Sequence, residues 1–216
     1  MENRTVGKDI ANVLSSGSSG NCEIYHRSIM VDIGVPYSIV KQYENDIQIV
    51  LLTHVHKDHI QMETLKRLCR NRPTIRIGCG RWMLELLEGF KNVDVFDFGK
   101  WYNYGTFRLA IGKLYHDVPN CFYRIDKAGY KIFHATDTCT LDGIEAKNYD
   151  LYAVEHNYNE ETIMQVIAEI EARGEYAHQR GSINSHLSEQ QARDFIYKNR
   201  AEHSKVIRLH ESNSAI

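Results

Sequence analysis

The sequence predicts an α/β fold, and three observations point that way. Short apolar runs alternate along the chain with segments whose apolar residues recur at helical spacing. With 216 residues, 43% of them hydrophobic, the chain can bury a full core, so one domain of packed layers over residues 1–216 is the default expectation. Metal-competent side chains, finally, recur directly after the apolar runs, which places them in loops at strand ends.

Taken in order, residues 10–14 form a short strand, followed by the Ser/Gly cluster Ser15-Ser16-Gly17-Ser18-Ser19-Gly20-Asn21. That cluster sits between two strand-like runs and reads as a tight functional turn, not a linker. Residues 22–25 and 28–32 flank His26-Arg27 as a hairpin, which Asp32-Ile33-Gly34 closes with a carboxylate and a glycine. A short helix over 36–43 leads to the apolar run 47–52. Met62, Leu65 and Leu68 mark a helix over 62–68; 74–77 is a strand, and 81–87 repeats the helical spacing. Residues 93–133 are strand-rich, with runs at 93–96, 107–111, 121–125 and 130–133. The turn Asp126-Lys127-Ala128-Gly129 joins the last two as a hairpin, and Trp101-Tyr102-Asn103-Tyr104 reads as an aromatic turn in the core or at its rim. Residues 150–154 are a strand. Ile163, Val166, Ile167 and Ile170 line one face of a helix capped by Asn159, Ser188-Glu189-Gln190-Gln191 is a capping box opening a helix to about Tyr197, and 205–209 is the last strand.

The chain is organised around Thr53-His54-Val55-His56-Lys57-Asp58-His59, where four metal-competent side chains fall directly after an apolar strand. Imidazole and carboxylate suit borderline-soft divalent ions such as zinc, and a strand-end loop can converge them without burying unpaired charge. Further candidates follow other strands: His116 after the run ending at Tyr115, Asp137 shortly after Phe133, and His210 after Leu209. Four strand ends delivering His or Asp suggest a two-metal centre in which one aspartate is shared.

The formal net charge of −2 gives no global attraction to nucleic acid or anionic membrane, so a polyanionic substrate needs a local patch or metal. Lys57, Lys113 and Arg180 are candidate phosphate contacts. Cys22, Cys69, Cys79, Cys121 and Cys139 lack any Cys-x-x-Cys pair and read as reduced, small buried hydrophobes of a cytoplasmic protein. No transmembrane run or signal peptide is expected, and hence no membrane partner.

The chain resembles the metallo-β-lactamase superfamily, and within it the ribonuclease Z-like and YycJ-like (WalJ-type) phosphodiesterase branch. The resemblance rests on the Ser/Gly turn 15–21, Asp32-Ile33-Gly34, 53–59, His116-Asp117, Ala135-Thr136-Asp137-Thr138, Glu155-His156-Asn157-Tyr158, Ser185-His186-Leu187-Ser188 and Leu209-His210-Glu211-Ser212. It implies a four-layer αβ/βα sandwich, two central mixed sheets flanked by helices. It also implies that His54, His56 and His116 hold one metal, that Asp58, His59 and His210 hold the other, and that Asp137 bridges them. Two cations roughly 3.5–4 Å apart can share a water and lower its pKa, which makes a bridging hydroxide the expected nucleophile. Zinc suits the His-rich first site; the second, richer in carboxylate, also accepts manganese.

Glu155 and His186 look like the acid dyad of the ribonuclease Z branch, in which a carboxylate orients an imidazole to protonate a poor alkoxide leaving group. With Asp58, they are the expected catalytic residues. The expected function is therefore a dinuclear phosphodiesterase or nuclease acting on nucleic acid or a nucleotide. The alternatives are a small-molecule metallohydrolase cleaving a lactone, thioester or lactam, a cyclic-nucleotide phosphodiesterase, or a metal-free scaffold, which the full ligand set argues against. No basic, Gly-rich insertion like the tRNA-gripping arm of ribonuclease Z is present. Homodimers are common in that branch, and the sequence leaves this open.

Overall fold

A computed structural model describes residues 5–7, 9–177 and 179–211. Ser212, the last residue of the expected His210 motif, lies outside them. The N-terminal sheet has seven strands in chain order: β1 (Thr5–Val6), β2 (Ala11–Ser15), β3 (Cys22–Tyr25), β4 (Ile29–Val31), β5 (Ile49–Leu52), β6 (Arg76–Gly80) and β7 (Val93–Phe96). β1 to β4 pair antiparallel and β4 to β7 parallel. The second sheet mirrors it, with antiparallel β8 (Trp101–Asn103), β9 (Arg108–Leu114), β10 (Asn120–Lys127) and β11 (Tyr130–Ala135), and then parallel β12 (Leu151–Glu155) and β13 (Lys205–Leu209).

Strand alternation explains how the two sheets stack. Ile29, Val31, Ile49 and Leu51 of one sheet and Leu109, Ile111, Tyr123, Ile132, Leu151 and Ala153 of the other form the seam between them. Their neighbours Met30, Val50 and Leu52 point outward to α1 (Tyr37–Val40) and α2 (Met62–Asn71), where Val40, Leu65 and Leu68 cover them. Phe133, Tyr152 and Val154 are covered in the same way by Ala192, Phe195 and Ile196 of α5 (Glu189–Asn199). β5 and β12 are therefore buried on both faces and run apolar without a break, as parallel strands under helices do. This is the expected αβ/βα sandwich.

Polar bonds cross the seam near the strand ends that carry the chemistry. The Tyr123 hydroxyl donates to the Leu52 carbonyl at 2.6 Å, and Tyr25 Oη lies 2.8 Å from His134 Nδ1. Both hairpins expected from the sequence form, and each turns on two residues of positive φ: His26 (47°) and Arg27 (61°), Ala128 (53°) and Gly129 (82°). α3 (Glu160–Ala172) is capped by the Asn159 carbonyl, which accepts from the amides of Glu161 and Thr162, and the Ser188–Gln191 capping box is complete.

Four elements differ from the sequence expectation. Residues 81–87 hold only a 3-10 turn, Arg81–Met83, because Met83 and Leu87 go inward while Leu84 and Leu86 stay largely exposed and give the segment no continuous apolar face. Trp101–Asn103 is not a turn but the edge strand β8, paired with β9, in keeping with the strand preference of aromatic residues. α4 (Gln179–Ser185) was not expected, because Gln-Arg-Gly-Ser-Ile-Asn-Ser carries no apolar stripe. The helix expected over 36–43 splits into α1 and a 3-10 turn at Lys41–Tyr43.

Candidate metal centre

All nine residues singled out from the sequence meet at one edge of the sandwich, between the two sheets. The first sheet supplies the loop after β5, and the second supplies His116, Asp137, Glu155 and His210 from the ends of β9, β11, β12 and β13. His186 arrives from the end of α4. Donor atoms fall within 4.8 Å of one another in four overlapping groups: His54, His56 and His116; Asp58, His59 and His210; His54, His59 and Asp137; and Asp137, Glu155, His186 and His210. The first two match the two ligand sets that the resemblance implied, and Asp137 reaches towards both.

The inner contacts are short. His54 Nε2 lies 3.1 Å from His56 Nδ1, close to the roughly 3.3 Å that separates two ligands on a tetrahedral zinc. His59 Nε2 lies 2.9 Å from Asp137 Oδ2 and 3.6 Å from Asp58 Oδ2. His210 Nε2 lies 3.6 Å from Asp137 and 3.9 Å from Asp58, and it is buried without a hydrogen-bond partner among the described residues. Buried polar atoms are rarely left unmatched, so imidazole nitrogens and carboxylate oxygens converging around such an atom fit divalent cations.

Outer residues hold these side chains in place. Asp32 Oδ2 lies 2.6 Å from His59 Nδ1, while Asp32 also accepts from the Thr53 amide (2.9 Å) and hydroxyl (2.8 Å). Nδ1 of His116 meets the Ser185 carbonyl at 3.0 Å, and Nδ1 of His54 meets the Thr53 hydroxyl at 2.9 Å, so each ring keeps Nε2 for the site. Asn21 closes the Ser/Gly turn on itself by accepting from the Gly17 amide at 2.8 Å, and its own amide donates to the Asp58 carbonyl at 2.7 Å. A Cβ at Gly34 would stand 1.7 Å from that same carbonyl oxygen, so only glycine fits there. Asp32, Asp137 and His210 all hold left-handed backbone (φ 57°, 54° and 49°), strain of the kind that clusters at functional sites.

Glu155 is fully buried and uses both of its oxygens. Oε2 accepts from the amides of Thr138 (3.0 Å) and Leu187 (3.2 Å), whereas Oε1 lies 2.6 Å from His186 Nδ1 and 3.1 Å from His210 Nδ1. His186 stacks on His210 with centroids 4.9 Å apart. His156, the residue after β12, points the other way and bonds the Val154 carbonyl.

The charges around these groups push their pKa values apart. Burial alone disfavours a charged His59, but Asp137 and Asp32 on either side outweigh it and raise its pKa well above the ordinary range. Burial likewise opposes ionisation of Asp137, yet His59, His210 and His54 hold its carboxyl well below the ordinary value. His210 is raised to about 10, since Asp58, Glu155 and Asp137 overcome the burial penalty. His54, buried beside His59, is held well down and neutral, the form that binds a metal.

Sequence reasoning placed Asn21, Thr53, Thr138 and Asn157, whose side-chain amide lies 3.0 Å from His210 Nδ1, only within motifs and gave them no supporting role, and it assigned Asp32 only to a motif and a hairpin end. The available signal for Asp32 was the one that exposed the candidate ligands, a carboxylate directly after an apolar run. Of the basic candidates, Arg180 pairs with Glu171 at 2.6 Å, Lys113 lies over the Tyr115 ring, and Lys57 is exposed.

Comparisons with known proteins fit this geometry. The chain is 30% identical over 146 residues to a UPF0173 metal-dependent hydrolase of Thermococcus onnurineus, covering 58% of this chain and 60% of the relative. It is 28% identical over 102 residues, 43% of the chain, to the cytidine monophosphate-N-acetylneuraminic acid hydroxylase of Mus musculus, of whose length it spans 17%. Similar solved structures share 10–16% identity and hence the fold alone. They include the metallo-β-lactamase fold protein YhfI of Bacillus subtilis (TM-score 0.71; 95% of this chain, 87% of that one) and the short form of human tRNase Z (0.64; 94% and 93%). A diphosphatase of the PhnP family is a third (0.64; 94% and 85%). Residues 35–210 match the Beta-lactamase superfamily domain, a span containing all nine residues singled out from the sequence, and the chain therefore belongs to that superfamily.

Proposed function

We propose that this chain is a dinuclear metal-dependent phosphodiesterase or nuclease of the ribonuclease Z-like and YycJ-like branch. In this reading His54, His56 and His116 hold one cation, Asp58, His59 and His210 the other, and Asp137 reaches both. The imidazole-rich donor set suits zinc, with manganese an option at the site that includes Asp58. Bound divalent ions supply a nucleophile from water near neutral pH and stabilise charge on a displacement at phosphorus.

The observation that carries the phosphodiester reading is the 2.6 Å contact between Glu155 and His186. Glu155 accepts the hydrogen bond from Nδ1–H of His186, which turns Nε2 towards the site as the atom that would give a departing alkoxide its proton. Backbone amides of Thr138 and Leu187 keep the carboxylate from turning away. Phosphodiester cleavage expels a poor alkoxide and gains from such an acid, whereas thioester cleavage has less use for one. The tRNase Z and diphosphatase neighbours, both named for phosphate substrates, support the same class.

The test is hydrolysis of bis-p-nitrophenyl phosphate, a thioester and a lactone by metal-loaded protein, with His186→Ala as the diagnostic variant. Phosphodiester cleavage that depends on His186 while metal content is retained supports the proposal; preferential thioester or lactone cleavage indifferent to His186 overturns it.

A further inference from the structure

Behind the dyad lies a second concave surface. Arg193, Ile196 and Tyr197 of α5, and Arg200 just past its end, face Arg208 of β13 across a cleft of about 380 Å³, with Val206 and His156 at its base. Arg193 and Tyr197 stand at i and i+4 and so share one face of the helix, and Arg200 follows its last residue in extended backbone. Arg208 comes from the edge strand of the six-stranded sheet, on the face opposite Ile207 and Leu209, which pack in the seam. The cleft adjoins the site through the chain itself: His156 follows Glu155, and Arg208 precedes His210 by two residues.

The charge of this surface contrasts with that of the whole molecule. Three guanidinium groups line one cleft in a chain of net charge −2. Glu189 pairs with Arg193 at 2.9 Å and approaches Arg208 at 3.9 Å, and Glu211 lies 3.6 Å from Arg208. These pairs are solvent-exposed, and exposed pairs are weak enough to exchange for a better anion. Arg200 makes no ion pair among the described residues. Tyr197 is 84% exposed, the most exposed large hydrophobic side chain among the described residues, so its ring is free to take a partner.

We propose that this cleft binds the backbone of a single-stranded nucleic acid, phosphates on the arginines and a base against Tyr197. Planar guanidinium forks match phosphate oxygens two at a time, and an exposed aromatic ring beside a basic groove is how single strands are gripped without sequence preference. From Arg193 to the end of α5 at Asn199 the helix rises about 9 Å, enough for roughly three nucleotides of stacked strand. An acidic peptide could also meet the arginines, but would leave Tyr197 without a base to stack on. The choice of nucleic acid rests on the phosphodiesterase reading; the cleft and its charge do not.

Affinity of the metal-loaded full chain for a short fluorescent single-stranded phosphorothioate oligonucleotide, which resists cleavage, measured against salt, tests the proposal. Arg200→Gln should weaken binding about three- to tenfold and lower the slope of log affinity against log salt by about 0.7, one phosphate contact. Tyr197→Leu should weaken it at least about fivefold with little change in slope. Both side chains are exposed and outside the metal site, so hydrolysis of bis-p-nitrophenyl phosphate should be unchanged. Oligonucleotide binding indifferent to both variants overturns the proposal, as does equal or tighter Arg200-dependent binding of a poly-glutamate peptide. If the parent protein cleaves no phosphodiester at all, the catalytic reading fails separately, and the binding measurements still decide the cleft.

Discussion

Asp32 Oδ2 lies 2.6 Å from His59 Nδ1, and both residues are fully buried. The carboxylate fixes which imidazole nitrogen faces the cluster and binds Thr53 of the same loop twice. Asp32→Asn keeps the shape but forfeits the charge-assisted bond, and removing such outer partners typically costs about 10–100-fold in metal affinity or activity. Competition with a chelator should show one of two metal equivalents weakened by that factor; unchanged affinity for both would show that Asp32 only supports the fold.

Glu155 and His186 should separate in their effects. Glu155 touches His186 at 2.6 Å and also His210, a proposed ligand, at 3.1 Å, whereas His186 reaches the proposed ligands only by stacking on His210 and at 3.4 Å from Asp137. His186→Ala should lower phosphodiester turnover by about 10²–10⁴-fold with two metal equivalents retained. Glu155→Gln should lower turnover and loosen one metal as well. Metal analysis beside kinetics checks the pair, and equal metal loss in both would mean that His186 is itself a ligand.

Gly34→Ala should disrupt the site from a position that offers no ligand. The added methyl group collides with the Asp58 carbonyl, so the loop or the Ser/Gly turn must shift, at a cost of about 1–3 kcal/mol or more. Reduced metal content and a lowered denaturation midpoint are expected together. A variant with wild-type metal binding would mean that the turn yields freely.

His134 should impose an acid limit on stability. Burial, with His59 nearby, pushes its pKa down to about 3 from an ordinary 6.5. The unfolded chain therefore binds the extra proton between those values. The contribution of neutral His134 is complete above about 6.5 and is lost as pH falls through this window, by up to about 1.4 kcal/mol per pH unit. Denaturant titrations should show a shallower acid limb in His134→Gln than in the parent; parallel limbs would place the sensitivity elsewhere.

Much of this centre was legible because each proposed ligand follows an apolar strand, and the parallel strands carry their hydrophobic pattern without interruption. His54 to His59, His116, Asp137 and His210 could be found that way. Asn21, Thr138 and Asn157 could not, because their importance lies in bonds to residues far along the chain, and a lone Asn or Thr in a turn is what any turn contains. The edge strand β8 was hidden by its aromatic, turn-like composition. α4 was hidden because nothing in its sequence repeats at helical spacing, although it delivers His186. The 3-10 turn at Arg81–Met83 shows the reverse case, helical spacing that tertiary packing does not use.

The donors come from both sheets, three histidines and Asp58 from the loop after β5 and the remainder from across the seam. Any cation they share is thus a cross-link between two halves of the molecule, closing a loop of chain in the way a disulfide does. Chelation should then be felt mechanically as well as catalytically, as faster amide exchange spreading from the loop into the paired ends of β5 and β11. A protein built like this would register loss of its metal as a loosening of its own halves.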